Sequence, residues 1–411
     1  NKLNQQFDSF SQRNAQSIFK PKKKVNKTSA DFPSANINSL IILQGIVEEK
    51  CGDNAIFTLE PSSKIAIISG TGAIYNYSAS DESNFTLYQE YISTVIIENG
   101  ITSIGSYCFY NCRRLINITI PSSVTCIGES SFSYCDALKD IYIPDSVTSI
   151  EARAFCQCEN LVNVRLSNNI DIITNYLFME CSALETIEIP NGVTSIGSGS
   201  FYKCSKLANL SIPNTVVSIL SEAFEHCSSL IHVTLPNSVT FIGDSSFYNC
   251  QKLEDIQLSD NLVTIGASAF FSCLALETVV IPASVVFIGR DSFGYCIVLS
   301  KVSVLGEYDP NPSSTSFDGC FQLSYASVES FYKSDSFCGL PVIKSSPHSD
   351  SPSASFSQSS IFSKTNRFSP SASFTQSSIF SKTNQFSPSA SFTQSSIFSK
   401  TNRFSPSASF T

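Results

Sequence analysis

The sequence predicts a repeat solenoid, a fold in which coils of equal length stack on one another. Nine cysteines recur at a fixed interval of 23 residues, from Cys112 to Cys296. Other residue types keep the same interval: leucine three residues after each cysteine, aliphatic residues at six and eight, and phenylalanine at twenty in nearly every unit. A period of this length is typical of units that bury their apolar faces against neighbouring units. One ordered body is therefore expected, although 411 residues would ordinarily suggest several domains.

Each predicted coil is rich in β-structure. In the segment Asn117 to Ile120, polar and aliphatic residues alternate, which is the period of a half-buried strand. Pro121 ends this strand, because proline cannot donate to a ladder hydrogen bond. A Val-Thr-x-Ile-Gly stretch predicts a second short strand. The spacing of three from Phe132 to Cys135 to Leu138 predicts a tight helical turn at the corner of the coil.

Changes in composition and repeat phase divide the chain into five predicted regions. They are a disordered polar leader (1–36), an N-terminal cap (37–91), the solenoid (92–305), a C-terminal cap with a last loose coil (306–344) and a low-complexity stalk (345–411). Caps are expected because the end coils of a solenoid otherwise expose their apolar faces.

The stalk has its own short period, with a phenylalanine at every sixth residue among Ser, Thr, Asn and Lys. One large apolar residue in six buries little area against the entropy of ordering the chain, so a flexible, disordered stalk is expected. The alternative is a small β-solenoid with 18 residues per coil, which would stack the phenylalanine side chains.

The cysteines that keep the period are interpreted as small apolar side chains that fill one inner corner of the solenoid. Five cysteines outside this phase could form disulfides, but their connectivity does not follow from the sequence. These are Cys51, Cys108, Cys126, Cys156 and Cys338. Because the total of 15 cysteines is odd, at least one thiol has no partner within the chain.

The sequence contains no recognisable catalytic motif. It has only three histidines, and it lacks a phosphate-binding glycine loop, a His-Glu-x-x-His zinc motif and a Gly-x-Ser-x-Gly nucleophile motif. A repeat also spreads its charged groups out, whereas catalysis needs them to converge. We therefore predict no enzyme and no catalytic, cofactor-binding or metal-binding residues. The net charge of −8 argues against a nucleic-acid partner.

The repeat instead predicts a binding surface on the first strand of each coil. The outward residues at positions five and seven after each cysteine vary, whereas the inward residues do not. Tyr142, Arg165 and His232 are the strongest candidates, because aromatic and arginine side chains dominate interface hot spots. The full candidate protein-binding face comprises Asp140, Tyr142, Arg165, Glu188, His232, Asp255 and Gln257.

Asn-x-Ser/Thr sequons give mild support for secretion. They occur at Asn26, Asn76, Asn84, Asn117 and Asn209. Asn117 and Asn209 occupy the same repeat position, so glycans attached there would crowd the proposed face.

The repeat pattern resembles a known family. Residues 181–204 read Cys-x-x-Leu-x-x-Ile-x-Ile-Pro-x-x-Val-x-x-Ile-Gly-x-x-x-Phe-x-x-Cys, which is similar to the BspA-like leucine-rich repeats of bacterial and parasitic-protist surface proteins. The segment Ile67 to Tyr75 resembles the one that precedes the repeats in that family. The resemblance covers about residues 51–340. It implies a leucine-rich-repeat-like solenoid, display at the cell surface and adhesion to host or extracellular-matrix proteins, sometimes through a Ser/Thr-rich stalk.

Two functional hypotheses follow. The first is a non-enzymatic adhesion protein at the cell surface or outside the cell, which needs no cofactor and binds a host or matrix protein through the strand face. The alternative is an intracellular, cytoplasmic scaffold, for which Lys20–Lys24 would be a targeting signal and Ser369, Ser387 and Ser405 would be phosphorylation sites. Since the chain starts at Asn1 without Met and stops inside a repeat, we expect a fragment whose membrane association depends on segments outside it.

Overall fold

The computed structural model describes residues 46–79, 83–310 and 315–345. Over this part of the chain the backbone winds into stacked coils, and most coils contribute two short strands. This confirms the predicted β-rich solenoid with a period of 23 residues. The predicted leader (1–36) and the predicted stalk after Ser345 lie outside the described residues.

The first elements lie at the N-terminal end of the described chain. They are β1 (Val47–Lys50), β2 (Asn54–Glu60), β3 (Ile65–Ala73), the helix α1 (Asn84–Leu87), a 3₁₀ turn (Gln89–Tyr91), β4 (Thr94–Ile97) and β5 (Ile101–Ile104). Strands β1 to β3 pair antiparallel, whereas β3 pairs in parallel with both β4 and β5. Strand β3 therefore joins an irregular antiparallel sheet to the two parallel ladders that follow.

The remaining strands follow in chain order. They are β6 (Asn117–Thr119), β7 (Cys126–Ile127), β8 (Asp140–Tyr142), β9 (Ser149–Ile150), β10 (Asn163–Arg165), β11 (Ile172–Ile173), β12 (Thr186–Glu188), β13 (Ser195–Ile196), β14 (Asn209–Ser211), β15 (Ser218–Ile219), β16 (His232–Thr234), β17 (Phe241–Ile242), β18 (Asp255–Gln257), β19 (Thr264–Ile265), β20 (Thr278–Ile281), β21 (Phe287–Ile288), β22 (Lys301–Val304), β23 (Ala326–Val328), β24 (Ser336–Phe337) and β25 (Leu340–Lys344).

These strands form two faces of the solenoid. We call the even-numbered strands from β4 to β22 the front ladder, and the odd-numbered strands from β5 to β21 the back ladder. Neighbouring strands within each ladder run in parallel, and paired residues differ by 23 in number, as Thr186 and Asn209 do. At the C-terminal end, β23 and β25 extend the front ladder and β24 turns back antiparallel on β25. Equivalent residues of successive coils therefore lie side by side.

A column of phenylalanine rings fills the core between the ladders. The ring of Phe247 lies 5.2 Å from that of Phe224 and 5.3 Å from that of Phe270, centroid to centroid, and the rings are nearly parallel. All three side chains are fully buried. This confirms the inward position that the period predicts for the phenylalanine of each repeat.

We call the segment from the repeat phenylalanine to the leucine after the cysteine the corner turn. It consists of two successive tight turns. The N–H of Cys204 donates to the carbonyl of Phe201, and the N–H of Leu207 donates to the carbonyl of Cys204, each at 3.0 Å. Between them, Lys203 has a left-handed backbone with φ of 58°. The predicted spacing of three thus corresponds to i→i+3 hydrogen bonds, and the left-handed residue prevents them from continuing as a helix.

The cysteines of the repeat are buried free thiols that hydrogen-bond between coils. From Cys135 to Cys320, the Sγ of each repeat cysteine donates to the backbone carbonyl oxygen of the phenylalanine in the preceding coil, at 3.0–3.3 Å. The donors are Cys135, Cys158, Cys181, Cys204, Cys227, Cys250, Cys273, Cys296 and Cys320. All 15 cysteines lie in the described part of the chain and are free, including those outside the phase.

Candidate functional site

The front ladder presents its outward side chains on a fixed scaffold. In β8, for example, the central Ile141 is buried while Asp140 and Tyr142 on either side are exposed. All seven predicted binding residues occupy such outward, exposed positions. They are Asp140 and Tyr142 on β8, Arg165 on β10, Glu188 on β12, His232 on β16, and Asp255 and Gln257 on β18.

Parallel pairing places residues of successive coils next to each other on this face. Asp140 is in register with Asn163, and Tyr142 with Arg165. Strands within a sheet are about 4.8 Å apart, so these side chains are within reach of one another. The sequence interval alone therefore determines which outward residues are neighbours.

Tyr142 and Arg165 form a cation–π pair on the solvent side of the ladder. The guanidinium carbon of Arg165 lies 4.6 Å from the centroid of the Tyr142 ring, and the ring is 57% exposed. On its other side the guanidinium donates to the carbonyl oxygen of Ile143 at 3.2 Å and to Asp145 Oδ2 at 3.2 Å. Because the ring, the carbonyl and the carboxylate all contact the guanidinium, an incoming partner orders few additional rotamers of Arg165 on binding.

The carboxylate of Asp145 completes this arrangement from the turn after β8. The backbone N–H of Asn168 donates to it at 3.0 Å. This hydrogen bond, and then Arg165, lower the pKa of the Asp145 carboxyl below its ordinary value. The carboxylate therefore stays charged and holds Arg165 over the ring. Sequence reasoning did not select Asp145, because it lies in a turn rather than on a strand.

The other predicted residues extend along the face rather than joining this cluster. Asn163 donates a hydrogen bond to the carboxylate of Asp140, so a second cross-strand pair lies beside Tyr142 and Arg165 on β8 and β10. His232 on β16 lies beyond β12 and β14, and it is in register with Asp255 on the neighbouring strand β18. Among the described residues, the carboxylates of Glu188 and Asp255 have no hydrogen-bond or ion-pair partner. The structure thus brings together Asp140, Tyr142 and Arg165, and leaves the remaining candidates as separate exposed groups.

A second polar surface, which the sequence analysis missed, runs along the outside of the corner turns. It is an open groove of about 530 Å³. Its lining residues come directly before or after the cysteines of the repeat: Glu159, Glu180, Ser182, Lys203, Ser205, His226, Ser228, Asn249 and Gln251. Lys203 Nζ lies 3.2 Å from Glu180 Oε1. In the sequence, the residues on either side of each repeat cysteine vary from coil to coil while the cysteine does not. The same contrast between variable and constant positions identified the front face, and it could have identified this groove.

A largely buried carboxyl group, that of Glu225, lies beside this corner groove. Burial, and secondly the nearby Glu222, raise the pKa of Glu225 to about 8. Its Oε1 lies 3.6 Å from Nε2 of His226. Other coils hold side chains such as Tyr202 and Tyr248 at the position of Glu225, so this glutamate replaces an aromatic ring in a largely buried row. It is a local source of pH dependence rather than part of the front face.

Neither ladder contains a cluster suited to a metal. Over the residues that the structure describes, no group of three or more His, Cys, Asp or Glu side chains is placed to hold a metal ion. In the same part of the chain, no helix has the length and apolar character needed to cross a membrane.

Comparisons with known proteins agree with this architecture. A family model for the BspA type leucine rich repeat region, which contains six copies of the repeat, matches residues 80–187 and 171–300. A leucine-rich repeat protein from Eubacterium ventriosum has a similar solved structure, with a TM-score of 0.51 and 23% sequence identity. The match covers 69% of this chain and 79% of that one. At this identity the likeness supports the fold alone.

Two further solved structures resemble the chain more distantly. A leucine rich cell surface protein from Faecalibacterium prausnitzii is 24% identical with a TM-score of 0.36, and the match covers 69% of this chain and 94% of that one. The pneumococcal vaccine antigen PcpA is 18% identical with a TM-score of 0.43, over 71% of this chain and 89% of that one. No curated protein matches the sequence.

Proposed function

Because the chain belongs to the BspA type leucine rich repeat family, we propose that it is a non-enzymatic protein-binding protein of the cell surface or extracellular space. Its partner in this proposal is a host or extracellular-matrix protein, and its binding surface is the front ladder. The cluster of Asp140, Tyr142 and Arg165 is the centre of that surface, and Glu188, His232, Asp255 and Gln257 extend it along the ladder.

The observation that carries this proposal is the exposed Tyr142–Arg165 pair. Tyrosine and arginine are enriched among the residues that supply most of the binding energy at protein interfaces. The ring of Tyr142 is 57% exposed although the guanidinium of Arg165 already lies over one face. An aromatic residue held open on a rigid scaffold offers apolar area at a low cost in conformational entropy.

A binding assay with matched variants tests the face. The full chain is titrated against purified extracellular-matrix proteins and intact host cells, and the double variant Tyr142→Ala/Arg165→Ala is compared with it. We expect the affinity to fall about tenfold or more, which corresponds to about 1.4 kcal/mol. Arg290→Ala is the control, because Arg290 is also exposed and also contacts an aspartate, Asp291, but lies beyond the back ladder.

Two results would count against the face as the binding surface. One is an affinity of the double variant equal to that of the unsubstituted chain, with both proteins folded by circular dichroism. The other is an equal loss in Arg290→Ala, which would indicate a non-specific effect of removing positive charge.

The cellular location requires a separate experiment. Intact source cells are labelled with a membrane-impermeant amine reagent, and the chain is then recovered and analysed for the label. We expect labelling of exposed lysines such as Lys139 and Lys301 on intact cells. Labelling only after lysis would instead support the intracellular scaffold.

A further inference from the structure

Two asparagines of the front ladder occupy the same outward position four coils apart. Asn117 on β6 is followed by Thr119, and Asn209 on β14 is followed by Ser211, so each begins an Asn-x-Ser/Thr sequon. Both asparagines are exposed. Within the described residues, neither side-chain amide takes part in a hydrogen bond. At about 4.8 Å per coil, the two amides are about 19 Å apart along the face.

The asparagine of a third sequon is in the opposite situation. Asn84 lies in α1 and is only 7% exposed. Its Nδ2 donates to the carboxylate of Glu49, and its Oδ1 accepts a hydrogen bond from the Tyr77 hydroxyl at 3.1 Å. A glycan attached at Asn84 before folding would have to be buried with the side chain, so a molecule modified there could not form this part of the cap.

Asn163 on β10 provides an internal comparison on the same face. It occupies the same repeat position as Asn117 and Asn209, but its Nδ2 donates to Asp140. The residue two positions later is Arg165, so Asn163 does not begin a sequon. One column of the ladder therefore contains two free asparagine amides within sequons and one amide that is bound and outside a sequon.

We infer that Asn117 and Asn209 are N-glycosylation sites when a eukaryotic cell exports the chain, and that Asn84 is unmodified in the folded protein. The co-reactant is an oligosaccharide linked through pyrophosphate to a lipid. The asparagine Nδ2 forms a bond to C1 of the first sugar, and the bond between C1 and the pyrophosphate oxygen breaks. The lipid pyrophosphate leaves with the bonding electron pair, and one amide proton passes to a base of the transferase.

Glycans at these positions would divide the front face. Asn209 is in register with Thr186 on one side and with His232 on the other, so a bulky glycan there shields His232. A glycan on Asn117 shields Asp140 in the same way, because Asp140 occupies the same repeat position one coil further on. The strip containing Tyr142 and Arg165 stays open between the two attachment points. This division of the binding surface rests on the proposed function, whereas attachment of the glycans does not.

Glycopeptide mapping tests the inference directly. The full chain is secreted from a eukaryotic expression host behind a host secretion signal, digested, and treated with peptide-N-glycosidase in ¹⁸O-labelled water, which converts each glycosylated asparagine to labelled aspartate. We expect the label at Asn117 and Asn209 and none at Asn84. In the variants Asn117→Gln and Asn209→Gln, one glycan should be lost from each protein.

Two sets of variants make the outcome unambiguous. Asn163→Gln, on the same ladder, should leave the glycan content unchanged. If a glutamine variant is not secreted, Thr119→Ala or Ser211→Ala removes the sequon while keeping the asparagine. Unlabelled Asn117 and Asn209, or labelled Asn84, in the secreted folded protein would overturn the inference. Because the mapping uses no binding partner, its failure is distinct from failure of the proposed protein-binding function.

Discussion

The Sγ of Cys204 donates a hydrogen bond to the backbone carbonyl oxygen of Phe178 in the preceding coil, at 3.2 Å. The same carbonyl accepts the backbone N–H of Cys181 at 3.1 Å, so the thiol is its second donor. The cysteine is thus more than a small apolar side chain, because it adds a hydrogen bond between coils, and such a bond contributes about 0.5–1.5 kcal/mol net. Repetition of this contact from coil to coil explains why the residue is cysteine, whereas alanine or valine would also fill a small apolar space.

Cys204→Ala should therefore destabilise the protein by about 0.5–1.5 kcal/mol through loss of the second hydrogen bond to the carbonyl of Phe178. The space left by the fully buried sulfur should add to this loss. Urea unfolding of the two proteins measures the difference. Cys126→Ala is the matched control, since Cys126 is only partly buried on the back ladder, and we expect a change within about 0.5 kcal/mol. Equal stability of Cys204→Ala and the unsubstituted chain would show that neither the hydrogen bond nor the packing of the sulfur contributes to the free energy of unfolding.

The stacked phenylalanine column should dominate core stability. Phe247→Ala removes a fully buried ring that packs between two others, so the free energy of unfolding should fall by about 3–5 kcal/mol. Phe241 is 38% exposed on the back ladder, so Phe241→Ala should lower the free energy of unfolding by clearly less. Thermal unfolding followed by circular dichroism compares them, and an unchanged melting curve for Phe247→Ala would refute the inward assignment.

Glu225 should make stability depend on pH. Its pKa is raised by burial from 4.5 to about 8 in the folded protein, so the unfolded chain loses this proton first as the pH rises. Stability is therefore lost progressively between about pH 4.5 and pH 8, and this group causes no pH dependence below that window. Glu225→Gln removes the titrating group. The free energy of unfolding of the variant, relative to that of the unsubstituted chain, should therefore increase from pH 5 to pH 8 by on the order of 2–4 kcal/mol.

Denaturant titrations at the two pH values measure this difference, and Glu188→Gln provides the control. Glu188 is exposed on the front ladder, so Glu188→Gln makes the same change from carboxyl to amide at the surface rather than in a largely buried site. A constant difference between Glu225→Gln and the unsubstituted chain across the range would mean that the carboxyl group titrates normally.

The thiols should react according to their burial. Burial raises the pKa of Cys204, so its thiolate is scarce as well as inaccessible in the folded protein. A thiol-specific alkylating reagent should modify Cys126 first in native protein, and all 15 cysteines once the protein is unfolded without reductant. Peptide mapping of the labelled sites gives the order. Fewer than 15 modified residues after unfolding would reveal a disulfide.

Part of the core and of the front face can be predicted from the 23-residue interval, because residues at the same position of equal-length coils must lie side by side. The burial of Phe247 and the adjacency of Tyr142 and Arg165 are both predictable in this way. The fixed orientation of Arg165 is not, since it depends on Asp145 in a turn outside the strand pattern.

The spacing of three predicts the tight turns at the corners, but the left-handed residue within each turn has no clear sequence signature. Lys203, Glu180 and Tyr134 all adopt left-handed conformations with φ near 60°. Glycine and asparagine are the usual sequence markers of this conformation, because other residues adopt it rarely. Here lysine, glutamate and tyrosine occupy the position, so the marker is missing. The groove beside the cysteines therefore became visible only when the coils were assembled.

The most direct test of the binding face is side-chain footprinting of the chain with and without a bound partner protein. Tyr142 and Phe287 are similarly exposed in the free chain, at 57% and 48%, but lie on opposite ladders. We predict that the partner protects Tyr142 from hydroxyl-radical oxidation and leaves Phe287 as reactive as before. Protection of Phe287 with unchanged oxidation of Tyr142 would contradict the proposal that the front ladder is the binding surface.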